Sequence, residues 1–124
     1  MLKKILPIIA FSIVLSPVIA SAEWIDISEN DQTILAVEKK LIVKSNQTIF
    51  FWQRLMYKEV QPGNMKFAIT YNEVDCKLIA VKIRKSIIYN ESGETLSKEE
   101  YDPVDFDQQV PDSLGEKLLQ AICQ

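Results

Sequence analysis

Three stretches between Thr48 and Asn90 carry the period-two signature of β-strands, and they leave little room for another kind of fold. In a strand, successive side chains point to opposite faces, so every second residue shares an environment. Residues 78–90 show this most clearly. Ile79, Val81, Ile83, Ile87 and Tyr89 fall on one face, with Lys82, Arg84 and Ser86 on the other. Lys85 is the one misfit on the apolar face and reads as the mark of a sheet edge. Residues 65–76 place Met65, Phe67, Ile69 and Tyr71 on one face, but Val74 and Cys76 have the other parity. That shift predicts a bulge near Asn72 or Glu73. Residues 48–59 hold Ile49, Phe50, Phe51, Trp52 and Tyr57, side chains that suit a pleated, half-buried surface. Phe50 and Trp52 cannot share a face with Phe51. At least one face therefore needs cover from a helix, a second subunit or a ligand.

The flanking sequence extends the same pattern. Residues 24–28 and 33–37 read as short strands and 41–44 as a short third one, with a hairpin-type turn at Ser45, Asn46 and Gln47. Pro62-Gly63 sits where a type II turn wants it. Residues 91–112 read as an irregular acidic loop, with eight acids against the single base Lys98. Beyond it, Ser113 and Glu116 form a capping box, and Leu114, Leu118, Ala121 and Ile122 recur at helical spacing. Short connections favour antiparallel neighbours. The expectation is an α+β domain over residues 23–124: a meandering antiparallel sheet with a C-terminal helix.

Residues 1–22 are expected to be a secretory signal peptide. Lys3 and Lys4 form the positive start, residues 5–15 are almost wholly apolar, and Ala20-Ser21-Ala22 is an A-x-A cleavage pattern. No Cys lies near that point to serve as a lipid anchor, so no membrane span or lipid is expected after cleavage. The leader takes away two of the 14 bases and none of the 17 acids, which leaves 102 residues with a charge of −5. Export also gives meaning to the cysteines. In an oxidising compartment Cys76 and Cys123 read as one disulfide.

The chain contains no His, which excludes Ser-His-Asp triads, Cys-His nucleophiles and HExxH zinc sites. Two Cys cannot build a four-Cys metal site, and no phosphate-binding or dinucleotide motif is present. An acidic balance argues against a nucleic-acid partner. Asp102, Asp105 and Asp107 lack the order of an EF-hand loop and read as a solvated acidic cluster. No catalytic residue, metal or cofactor is expected. The candidates for partner binding are the basic stripe Lys82, Arg84 and Lys85, which would dock an anionic partner, and the aromatic strand around Trp52. Their plain reading is a solvated sheet face for the stripe and core for the aromatics.

One set of residues carries a family resemblance. Trp24, Trp52, Tyr71 with Val74-Asp75-Cys76, the run Val110 to Glu116, and Ala121-Ile122-Cys123 resemble the surface-adhesin protein E-like family of small exported bacterial proteins. The resemblance covers most of residues 24–123. It implies an antiparallel sheet with a C-terminal helix and the Cys76–Cys123 disulfide. It also implies adhesion to host extracellular-matrix or serum proteins at the cell surface. The expectation is a non-enzymatic binding module of the periplasm or cell surface, with a homodimer through an exposed edge. The alternative is a structural or stress-related protein of the periplasm that meets no host ligand.

Overall fold

The period-two segments become a single antiparallel sheet in the structure, a computed structural model that describes residues 22–124. Residues 1–21 of the expected leader, with Ala20 of its cleavage pattern, lie outside the described residues. The strands are β1 (Trp24–Glu29), β2 (Thr33–Glu38), β3 (Val43–Ser45), β4 (Thr48–Gln61), β5 (Met65–Asp75), β6 (Ala80–Tyr89), β7 (Thr95–Glu100) and β8 (Asp107–Gln108), followed by helix α1 (Leu114–Ile122). Neighbours run in the order β1-β2-β4-β5-β6-β7, with β3 paired to β4 and β8 to β6. The tight links hold because their residues tolerate left-handed backbone. Gly63 (φ 80°, ψ 13°) takes the third-position geometry of a type II turn, and Asn46 (φ 56°) turns β3 into β4.

Register decides what each face buries. On one face Leu35 lies across from Leu55, Ile49 from Val74 and Phe51 from Asn72. Helix α1 packs there. Leu118, Leu119 and Ile122 meet Leu35, Val37, Ile49, Phe51 and Val74 to form the core. Each such side chain taken from water is worth about 1.5–3 kcal/mol. The helix is tied down covalently by the Cys76–Cys123 disulfide, whose Cα atoms stand 5.5 Å apart.

Several expectations shift in detail. The parity change in residues 65–76 needs no bulge in that strand, because β4 and β5 pair without interruption from Thr48↔Asp75 to Met56↔Phe67. The extra residue is Arg84 on β6, since Tyr71 pairs with Lys85 while Asn72 pairs with Ile83. This bulge splits the face proposed for residues 78–90. Val81 and Ile83 turn to the helix side, whereas Lys85, Ile87 and Tyr89 turn to the other. Strand β6 also starts at Ala80, because Cys76 to Ile79 form the turn. Ile79 adopts φ 52° there, an unfavourable value for a β-branched residue, while packing against the core. The strand expected at 41–44 becomes a 3-10 turn (Lys39–Leu41) and the three-residue β3. The acidic segment is not wholly irregular, for β7 and β8 lie within it. Every residue in them is exposed, and Leu96 is the one apolar side chain among them, so no alternation betrayed them. In α1 the residue facing the core is Leu119 rather than Ala121, which is exposed. The cap is also displaced. Ser113 Oγ accepts from Glu116 N–H at 3.1 Å, but Glu116 Oε1 accepts from Asp112 N–H, at 3.0 Å, one residue earlier than a capping box would have it.

Candidate functional site

The sheet face opposite α1 is where the sequence leaves its aromatic surplus. Pairing sets Trp24 of β1 opposite Glu38 of β2, and Trp52, Tyr71 and Lys85 in a row from β4, β5 and β6; Trp24, Glu38 and Trp52 then meet in the wall of one pocket. Directly opposed side chains in neighbouring strands are close enough to pack. The rings do so: Trp52 and Tyr71 lie 4.9 Å apart, Phe50 and Tyr71 6.2 Å, and Phe67 and Tyr89 4.7 Å between centroids. The Arg54 guanidinium lies 5.1 Å from the Trp24 ring, with Nη2 3.7 Å from Asp26. Arg54 Nε is buried without a hydrogen-bond partner. Trp52 and Tyr71 are half-buried, while Ile69 and Tyr89 on the same face are buried.

Between these side chains lies an apolar pocket of about 220 Å³. Trp24, Leu41, Trp52, Ile69, Ile87 and Tyr89 wall it, together with Ala22 and Glu38. Glu38 is the one charged group in the wall and is 2% exposed. Its Oε2 accepts from Glu23 N–H at 2.8 Å, and its Oε1 accepts from Lys40 N–H. Lys39 N–H in turn donates to the Glu23 carbonyl at 2.9 Å. A polar group buried in an apolar wall is tolerated when its hydrogen bonds are met, as here.

The Arg84 bulge decides how the sequence candidates sit. Trp52 and Lys85 flank Tyr71 in one row, and Lys82 pairs with Glu73 on the same face. Lys85, a misfit by alternation, thus joins the aromatic face. The rest of the basic stripe is engaged internally. Arg84 stands 3.6 Å from Glu73 and 3.9 Å from Asp102, and Lys82 Nζ lies 4.5 Å from the Phe106 ring. The segment bearing Asp102 and Phe106 therefore folds back over the cations. Nearby Tyr101 has its phenol raised above the ordinary value, first by desolvation and then by its hydrogen bond to Glu99 and that group's charge.

Sequence reasoning named Trp52 but not Glu38, Ile87 and Tyr89 as its partners around one pocket, and Lys85 but not Tyr71 as its neighbour in the row. The signal for Glu38 was faint. It shares parity with Ile34 and Ala36, yet a charge at a strand end looks like any polar terminus. Among the described residues no helix is long and apolar enough to cross a membrane, and no group of three or more acids or cysteines is placed to hold a metal ion.

A family model described as surface-adhesin protein E matches residues 24–124. No curated protein and no solved structure matches the chain significantly.

Proposed function

The chain belongs to the surface-adhesin protein E family, and from that premise we propose that it is an exported, non-enzymatic protein-binding module whose recognition surface is the helix-free face. The observation that carries this reading is the row Trp52–Tyr71–Lys85 beside the apolar pocket. Half-exposed aromatic rings next to a cation are the composition of interaction hot spots. Within this reading the leader is cleaved after Ala22, the mature domain spans residues 23–124, and the partner is an extracellular-matrix or serum protein of a host. Lys85 would meet acidic groups on that partner, while Lys82 and Arg84 stand at the rim, held by Phe106, Glu73 and Asp102.

A second copy of the chain would dock at a sheet edge. Strand β7 is guarded by the exposed charges Lys98, Glu99 and Glu100, whereas β1 offers Trp24 and Ile25. The test is solid-phase binding of the processed protein to a panel of purified matrix and serum proteins. Saturable binding that Trp52→Ala weakens by about 30-fold or more is the expected result, the loss typical of a hot-spot aromatic. Absence of binding across the panel, with the protein recovered only from the periplasm, would instead favour an envelope protein without a host ligand.

A further inference from the structure

Glu38 bears a carboxylate that is 2% exposed, and among the described residues no Lys or Arg side chain forms a salt bridge with it. A buried carboxylate is costly to keep unless a positive group or several hydrogen bonds compensate it. Two neutral main-chain donors meet it here: Lys40 N–H at Oε1, and at Oε2 the nitrogen of Glu23, 2.8 Å away. That nitrogen belongs to the Ala22–Glu23 peptide bond, the bond that follows the Ala20-Ser21-Ala22 pattern. We propose that Glu38 is the built-in counter-ion for the α-ammonium group that leader cleavage frees at Glu23.

The step is an ordinary peptide hydrolysis by a signal peptidase. Water attacks the Ala22 carbonyl and the C–N bond breaks. Ala22 leaves as a carboxylate, and the Glu23 nitrogen becomes an amine that takes up a proton at neutral pH. The new charge arises where a hydrogen bond to Glu38 already exists, so a bond with a neutral donor becomes one between two opposite charges. Little rearrangement is needed, because the Glu23 carbonyl is held by Lys39 N–H at 2.9 Å and Trp24 pairs with Glu38. Ala22 also lines the apolar pocket. Cleavage removes it from the wall while the ion pair holds the chain that carries Trp24, another residue of the same wall. The recognition face is thereby completed by processing.

The inference rests on the proposed export reading, and the test separates the two. Processed protein is purified from the periplasm and its N-terminus determined by mass. Its α-amine is then labelled with a limiting amine-reactive reagent at neutral pH, and labelling at Glu23 is followed by peptide mapping. A chain that begins at Glu23 and labels about tenfold more slowly than the Glu38→Gln variant is expected, since a tenfold loss of free base matches one pKa unit. If Glu38→Gln does not fold, a variant with one Gly inserted between Ala22 and Glu23 serves in its place. There the amine is displaced by one residue and should label at the unprotected rate. A chain that is neither processed nor recovered from the periplasm overturns the export reading and the ion pair together, and one processed elsewhere overturns the cleavage site and the ion pair. A chain that begins at Glu23 but labels equally fast in wild type and variant overturns the ion pair alone.

Discussion

Phe51 and Trp52 are adjacent in the chain, and the pleat sends them to opposite faces of β4. Phe51 is fully buried against α1, and Trp52 remains half-exposed beside Tyr71. Their substitutions should therefore separate stability from recognition. Phe51→Ala is expected to lower unfolding free energy by about 3–5 kcal/mol, the usual cost of an emptied aromatic site in a core. Urea denaturation followed by far-UV circular dichroism reads it. Trp52→Ala should cost much less stability while removing most partner binding. Arg54 shows the same division within one side chain. Its Nη2 reaches Asp26 and its Cζ lies over Trp24, while its Nε is buried without a partner among the described residues.

Elements are held by devices of one or two residues. Helix α1 begins at Ser113, whose Oγ accepts from Glu116 N–H. Ser113→Ala should cost about 1 kcal/mol, the typical worth of an N-cap, as a lower urea midpoint with an unchanged slope. Strand β6 depends on Arg84 as its extra residue. A one-residue slip moves every side chain to the other face. Deleting Arg84 should therefore drive one half of β6 out of register, turning either Val81 and Ile83 or Ile87 and Tyr89 away from their apolar surroundings. Loss of soluble, cooperatively unfolding protein is the expected outcome, whereas Arg84→Ala should keep the bulge and the fold. The bulge was legible only as an interruption. Alternation in residues 65–76 and 78–90 showed that parity changes somewhere, and Lys85 stood out on the apolar face. Which strand carries the extra residue is a property of pairing, which neither segment contains alone.

At the scale of the molecule, α1 covers one sheet face and is fastened at its far end by Cys76–Cys123, 47 residues apart in the chain. Closing a loop of that length restrains the unfolded chain by about 4 kcal/mol on the chain-entropy estimate. Thermal melts with and without reductant should show a large drop in midpoint on reduction. Among the described residues the opposite face has no such cover, and the β1 edge lies beside it. Light scattering of the processed protein is expected to give twice the monomer mass, and a monomeric mass would remove the edge-docking proposal. Sequence alone determined the strands from Thr48 to Asn90, the terminal helix, the pairing of two cysteines and the poverty of catalytic groups, because periodicity, caps and residue counts are local quantities. It also showed that Phe51 and Trp52 must part. Only the tertiary structure decided which face the helix takes, that Lys85 stands in a row with Trp52 and Tyr71, and that Glu38 meets the nitrogen of Glu23. Those are long-range facts. They follow from register across five strands and from one extra residue in β6, and a change of one position there would have assigned the same side chains to different neighbours.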